Sequence, residues 1–248
     1  MKDKRVSIII ATYNSFQTLE NTLKSCINQK KINFELIVID GNSQDKTVEV
    51  ISNYKKNVDF FISEKDKGIY DAWNKGLKYA SGDWICFLGS DDIWLNDHSL
   101  FELLSLDNGQ VNFISSKSKI VNEKNNNEFI IGKKFDKKNL NYNIGIAHSG
   151  ALHRKILFEK FGFFNSDFKI SGDYEFLLRC SNHINASFYD KVSTVMMDGG
   201  ISRKKPFLAF YENFKALKKK SYFIMILASV NLILITIKYI IKRIFRLK

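Results

Sequence analysis

The chain has 248 residues, 45% of them hydrophobic and 26% charged, enough for one large α/β core with an appendage. Its formal net charge of +12 is uneven: residues 1–200 carry 26 Lys and Arg against 25 Asp and Glu, while residues 201–248 carry 12 against the single acid Glu212. A neutral body with a basic tail argues against nucleic acid as a partner, which asks for cations interleaved over a domain face. Cys26, Cys86 and Cys180 show neither disulfide nor metal-ligand spacing and fit a reducing, cytoplasmic compartment.

Met1 to Arg5 leads straight into a strand-like run, so no signal peptide is expected. Val6 to Ala11 is a β-branched apolar run of the kind buried on both faces of a sheet. Thr12-Tyr13-Asn14-Ser15 breaks it, and Ser15 predicts a helix cap, with apolar marks at Phe16, Leu19, Leu23 and Ile27 carrying the helix to about Gln29. Phe34 to Ile39 is a second buried strand, ended by Asp40-Gly41-Asn42-Ser43 and followed by a helix from near Asp45 to about Tyr54. Val58 to Ile62 is a short third strand, Tyr70 to Ala80 a helix stopped by Ser81-Gly82, and Trp84 to Leu88 a fourth strand. Residues 111–115 and the flanks of Lys124–Asn127 read as strands around a polar turn, Lys133 to Asn143 as a loop, and Gly172 to about Asn182 as a helix.

Strands alternating with helices predict an α/β fold, a mostly parallel sheet with helices on both faces. Ligands bind such sheets at the carboxyl ends of the strands. Four polar clusters fall at those ends: Thr12-Tyr13-Asn14, Asp40 to Ser43, Glu64-Lys65-Asp66 and Ser90-Asp91-Asp92. The pair Asp91-Asp92 at the tip of a buried strand is the most telling of these. An unpaired buried carboxylate costs several kcal/mol, and a nearby cation offsets that cost. Hard oxygens favour Mg2+ or Mn2+, which also partner a diphosphate. A turn with one helix-capping acid is the plainer alternative, as capping is for Asp40.

The tail has its own pattern. Phe223 to Ile237 is apolar apart from Ser229, Asn231 and Thr236, short of the roughly 20 residues that span a bilayer. Ile237, Ile240, Ile241, Ile244 and Phe245 then recur at helical spacing, with Lys238, Lys242, Arg243 and Arg246 mostly on the other side. That pattern predicts a helix lying in an anionic membrane interface, with a single span or a packing helix for a partner subunit as the other readings. The expected division is a domain over 1–200 and a basic membrane-associating tail over 201–248.

Several motifs match in order. Ser7 to Asn14 and Val38 to Ser43 resemble the opening of family 2 glycosyltransferases with the GT-A fold, and Ser63 to Gly76 and Phe87 to Asp92 resemble the branch that builds bacterial exopolysaccharides such as colanic acid. The resemblance is dense over 5–95 and looser over 145–180. It implies a Rossmann-like domain with a nucleotide-binding half over about 1–95 and an acceptor half over about 96–200. It also implies a nucleotide-sugar donor, a UDP type favoured, and a glycan or lipid-linked sugar acceptor. Thr12 and Tyr13, with Asn14 beside them, border the base, and Asp40 accepts a hydrogen bond from a uracil-type ring. Asp66, Asp71 and Asn74 line the diphosphate and sugar, Asp91 and Asp92 form the metal-binding motif for Mn2+ or Mg2+, and Asp173 is the general base. His148, where relatives read His-Gln-Gly, is a candidate substrate contact.

Two positions depart from the pattern: Gly89 stands where an acid often precedes the pair, and Trp73 where many relatives have Arg, leaving Lys75 or Lys67 to supply the charge. The implied chemistry needs a leaving diphosphate neutralised by a divalent cation and a base within reach of the acceptor hydroxyl. A single displacement with those parts inverts the anomeric centre. The alternatives are an inactive membrane-docked nucleotide-sugar-binding scaffold and a nucleotidylyltransferase, whose glycine-rich phosphate loop Ala11 to Ser15 lacks.

Overall fold

The computed structural model describes residues 5–122, 127–141 and 145–217. The expected polar turn over 124–126 and the expected interfacial helix from Phe223 onward lie outside the described residues.

β1 (Arg5–Thr12), β2 (Asn33–Asp40), β3 (Phe60–Ser63) and β4 (Trp84–Gly89) pair in parallel in the spatial order β3-β2-β1-β4. Their continuous apolar runs are explained by burial on both faces. Ile9, Ile37, Ile39, Ile85 and Phe87 enter one core layer, and Ile8, Ile10, Leu36, Val38, Cys86 and Leu88 enter the other. α1 (Leu19–Ile27) and α2 (Thr47–Asn53) cover the second layer, and α3 (Ile69–Tyr79) covers the first. α3 approaches the sheet closely at Gly76, where a Cβ would lie 2.5 Å from Ile9 Cγ2.

α1 begins later than the sequence suggests. The Ser15 carbonyl accepts the amides of Thr18 and Leu19 at 3.1 and 3.0 Å, forming a turn ahead of the helix. The Ser15 amide itself donates to Thr47 Oγ1 at 2.8 Å, so Ser15 ties two rim loops together and does not cap α1.

β5 (Asp92–Trp94), β6 (Phe113–Asn122), β7 (Asn127–Ile131), β8 (Leu152–Arg154) and β9 (Ala186–Met197) continue the same sheet as β8-β6-β9-β5, with β7 also on β6. β8 is antiparallel to β4 and β6, β5 to β9, and β7 to β6, whereas β6 and β9 are parallel. The parallel order therefore belongs to the first four strands, and the whole is a mixed α/β sheet. α4 (Ser99–Leu104), α5 (Lys155–Phe161), α6 (Gly172–Cys180), α7 (Ile201–Lys204) and α8 (Pro206–Leu217) complete the described chain. The helix expected to Asn182 ends at Cys180 and tightens into a 3-10 turn, Ser181–His183. No described helix is long and apolar enough to cross a membrane.

Charge changes near residue 200, but packing continues to Leu217. Ala216 and Leu217 are buried in the α3 side of the core. The Glu212 carboxylate, 3% exposed, accepts the amides of Lys169, Ile170 and Ser171 at 2.7, 2.8 and 2.9 Å. It thereby fixes the backbone that leads into α6. Removing it leaves three amides without their acceptor, so Glu212→Ala is expected to lower stability by about 2–4 kcal/mol. Urea unfolding checks this, and a change below about 0.5 kcal/mol contradicts it.

Candidate active site

The carboxyl ends of β1, β2 and β4 meet on one rim. Gly41 N–H donates to the Thr12 carbonyl at 2.9 Å, joining the first two clusters. Asn14 takes a left-handed conformation (φ 49°), which Asn tolerates, and its side chain accepts the Gln44 amide at 2.8 Å. Tyr13 is 60% exposed with its ring edge against Gly41. The Thr12 hydroxyl is buried and has no hydrogen-bond partner among the described residues. Asp40 is fully buried, and its oxygens accept from the Ser43 amide and from the hydroxyls of Ser43 and Ser63. It shapes the loop over 41–43 from beneath and presents no open face.

Asp66 lies against that loop. A Cβ on Gly41 would sit 2.6 Å from Asp66 Oδ2, so any larger residue there would push the carboxylate aside. The other oxygen, Oδ1, accepts the Gly68 amide at 2.8 Å. Burial pushes the Asp66 carboxyl up from its ordinary value, and the charges of Asp71 and Asp40 add to that. Asp71 accepts the Lys67 amide at 2.9 Å at the start of α3. Lys75 pairs with Glu64 at 2.9 Å and donates to the Lys65 carbonyl, so it braces the loop over 64–66. Asn74 turns away from this rim: its amide nitrogen donates to the Phe164 carbonyl and its oxygen accepts the Phe164 amide, at 2.8 and 2.9 Å. Trp73 is a core residue packed on Phe87, His148 and Phe164, which accounts for the apolar ring where relatives carry Arg.

The acid pair follows β4. Asp92 is 6% exposed, and its Oδ2 accepts the Ser149 hydroxyl at 2.6 Å and the Gly89 amide at 3.0 Å. A Cβ on Gly89 would lie 3.0 Å from both Asp91 Oδ1 and Asp92 Oδ2, so the two carboxylates converge over that glycine. An acid at position 89 would not fit this arrangement without movement. Burial, with the Asp91 charge second, raises Asp92 to about 6. Asp91, more open, is also raised by burial, with Lys204 opposing. Lys204 reaches this neighbourhood because β9 pairs with β5, Met196 opposite Asp92, and α7 follows β9 directly. Asn14, Ser15, Phe16, Ser90 and Asp91 border an open cavity of about 400 Å3 beside the pair.

A divalent cation fits this donor set. Two convergent carboxylates, one buried and one half-buried, supply hard oxygens of the right kind and lack a cationic partner within ion-pair distance among the described residues. The described residues contain no group of three or more His, Cys, Asp or Glu poised for a metal, so two carboxylates are what this part of the chain offers.

A chain of contacts runs from the pair to Asp173. His148 precedes Ser149 and packs between Trp73, Phe87 and Phe164. Both its ring nitrogens lack partners among the described residues, and burial lowers its pKa against the opposing charge of Asp173. Asp173, in the first turn of α6, accepts the Tyr70 hydroxyl at 2.8 Å. The same proton is shared with the Ile170 carbonyl, 2.6 Å from the hydroxyl, and Gly172 leaves room for the Tyr70 ring, 2.8 Å from where a Cβ would stand. Ser149, Tyr70, Lys204 and Glu212 were not singled out from the sequence. Only Tyr70 and Ser149 carried a signal, each beside a residue of a recognised motif.

Comparison with known proteins accords with this geometry. The model of glycosyl transferase family 2 matches residues 7–161. A PGL/p-HBAD biosynthesis glycosyltransferase of Mycobacterium bovis is 29% identical over 177 residues, 70% of this chain and 68% of its own length. The Escherichia coli protein UDP-Glc:alpha-D-GlcNAc-diphosphoundecaprenol beta-1,3-glucosyltransferase WfgD is 33% identical over 151 residues, 60% of this chain and 58% of its own. The S. aureus TarS 1–349 structure in complex with UDP aligns at a TM-score of 0.68 with 22% identity, over 86% of this chain and 64% of that one. Mannosyltransferase PcManGT from Pyrobaculum calidifontis, in complex with GDP-Man and Mn2+, aligns at 0.67 with 17% identity, over 88% and 65%. The chain thus spans less than two thirds of WfgD and of both solved chains, whose likeness speaks to the fold. With more than half of its residues matched by the family model and the motifs placed on one rim, the chain belongs to glycosyl transferase family 2 and has the GT-A fold.

Proposed function

We propose that the chain is a metal-dependent, inverting glycosyltransferase that moves a sugar from a nucleotide-sugar donor, UDP type favoured, to a lipid-linked glycan. The observation that carries this reading is the convergence of Asp91 and Asp92 over Gly89, linked through Ser149, His148, Trp73 and Tyr70 to Asp173. The names of relatives lend support, since WfgD is named for a UDP-Glc donor and a diphosphoundecaprenol acceptor, and PcManGT was solved with GDP-Man and Mn2+.

In this reading Tyr13 and the loop over 41–43, held by Asp40, receive the base, and Thr12 offers its buried hydroxyl. Asp66 and Asp71 border the sugar and diphosphate, while Asn74 and Lys75 hold the surrounding backbone. Asp91 and Asp92 would hold Mn2+ or Mg2+, which neutralises the leaving diphosphate. Asp173 takes the proton of the acceptor hydroxyl as its oxygen bonds to the anomeric carbon. The bond to the diphosphate breaks with its electron pair on the leaving oxygen, and attack from the opposite face inverts the centre. Tyr70 orients Asp173 through the hydrogen bond to Oδ1. His148, held neutral by burial, contacts the sugar or acceptor. The basic tail docks on the anionic inner face of the cell membrane, making the enzyme a peripheral protein of the cytoplasmic side.

A thermal-shift screen with UDP-glucose, UDP-N-acetylglucosamine and GDP-mannose tests the reading. One donor is expected to raise Tm by several degrees with Mn2+ and much less with EDTA, and Asp92→Asn to abolish the metal-dependent part. Stabilisation by none of them, or full transfer activity in a folded Asp92→Asn variant, contradicts it.

The buried acid also sets a pH dependence. Asp92 ionises at about 6 in the folded chain against an ordinary value of 3.8, so ionisation is disfavoured by folding. Below about pH 3 the group is protonated in both states and has no effect. From there to about pH 6 the unfolded chain loses the proton first and stability falls as pH rises, by about 3 kcal/mol in full. In EDTA at pH 7.5, Asp92→Asn is therefore expected to raise the unfolding free energy by about 1–3 kcal/mol, with little change at pH 4. Urea titrations at the two pH values check this, and destabilisation at both contradicts it.

A further inference from the structure

His153 is an imidazole at the centre of the core that takes no part in the donor or acceptor chemistry. In β8 it pairs with Ile85 of β4 on one side and Phe113 of β6 on the other, so its backbone is held from both. The side chain is fully buried, with Phe87, Phe113, Phe158 and Phe176 around the ring at centroid distances of 4.9 to 6.1 Å. Neither ring nitrogen has a hydrogen-bond partner among the described residues. A phenylalanine would fill the same aromatic nest, whereas an imidazole there gives up its bonds to water. Packing alone does not explain the residue.

His148 is the second polar ring in that nest. The two centroids lie 5.0 Å apart at an interplanar angle of 52°. Imidazoles joined by an N–H···N bond of about 3 Å have centroids roughly 5 Å apart, and the bond tolerates a twist between the planes. The pair therefore stands at bonding separation. His148 is 9% exposed, and both its nitrogens also lack partners among the described residues. A half-turn of either ring about its Cβ–Cγ bond exchanges carbon and nitrogen positions within the same envelope. It brings a nitrogen to the facing edge without moving the backbone.

The charge state suits such a bond. Burial holds both rings below the ordinary histidine value, with His148 a second cause at His153, so each ring offers one N–H and one lone pair near neutral pH. The backbone carbonyls of Ile85 and Ala151 oppose the lowering at His153 without completing a hydrogen bond. They favour the proton on the nitrogen that faces them. The other nitrogen of His153 is left to accept from His148.

We propose that His153 is a positioning residue for His148: it accepts the His148 N–H, fixes the tautomer and plane of that ring, and leaves the remaining His148 nitrogen as a lone pair that accepts a sugar hydroxyl. The inference rests on the reading of His148 as a substrate contact. It adds the atom that makes the contact and the group that holds it.

Selective 15N labelling of the four histidine rings in the full, ligand-free chain tests this at pH 7.5. His148 is expected as a single neutral tautomer, its N–H showing a through-hydrogen-bond 15N–15N coupling to an unprotonated nitrogen of His153. In His153→Phe the coupling is lost and His148 is expected to populate both tautomers, while UDP binding with Mn2+ is unchanged. Absence of the coupling in the wild type overturns the proposal whether or not the variant folds, as does a coupling in which His153 is the donor. A single His148 tautomer retained in folded His153→Phe overturns it as well. The coupling without any UDP binding in the wild type strikes the donor reading alone. The coupling together with wild-type transfer in a folded His148→Phe variant strikes the substrate contact and leaves the pair.

Discussion

Asp92 is a carboxyl with little access to water, and the protein gives one of its oxygens two donors, the Gly89 amide and the Ser149 hydroxyl. Asp91 brings a second carboxylate to the same point over Gly89. Burial first, and repulsion by the Asp91 charge second, resist ionisation of Asp92, which is the physical meaning of its raised value. In the proposed reading the fold carries this cost so that the pair can receive a ligand with positive charge. Stability given up in this way is common at active sites.

The rest of the architecture follows from holding that pair in place. β4 ends on Gly89, which leaves the two carboxylates room to converge. β5 runs back along β9, so the acid strand is supported from the far end of the chain, and α7 brings Lys204 near Asp91. β8, antiparallel to β4, returns the chain so that the Gly150 amide bonds the Phe87 carbonyl at 3.0 Å and Ser149 lies beside Asp92. The candidate base is positioned separately. Tyr70 holds its carboxylate, Asn74 clamps Phe164, and Glu212 secures the three amides just ahead of α6. The antiparallel half of the sheet is thus the device that brings residues 148–149 and 173 to a rim built by residues 12–92.

Legibility from sequence falls off where local pattern stops deciding structure. β1, β2 and β4 announce themselves as long β-branched or aromatic runs ended by polar clusters, and they lie within a residue or two of the expected spans. β8 has three residues, too few to show any period. β9 carries Asp190 and Lys191 at a break in its register with β6, which interrupts the alternation. α8 sits in a basic stretch whose charge masked the fact that Glu212 is buried against the body. Asn74 reads as a polar residue on a helix near the site, but its partner, Phe164, is 90 residues away and invisible to any local pattern. The resemblance marks candidate acids along the chain. Which of them face open space and which are tied down, as Asp40 is by Ser43 and Ser63, depends on tertiary contacts.

The central claim is that one site divides its work, with Asp92 serving the donor diphosphate and Asp173 the acceptor proton. Parallel assays of Asp173→Asn and Asp92→Asn, each measured for Mn2+-dependent binding of the donor and for transfer, test that division most directly. The account predicts that Asp173→Asn binds donor as the wild type does and loses transfer by about 10²- to 10⁴-fold, whereas Asp92→Asn loses both. Transfer at the wild-type rate in Asp173→Asn, or loss of donor binding in it with the fold intact, would contradict the account.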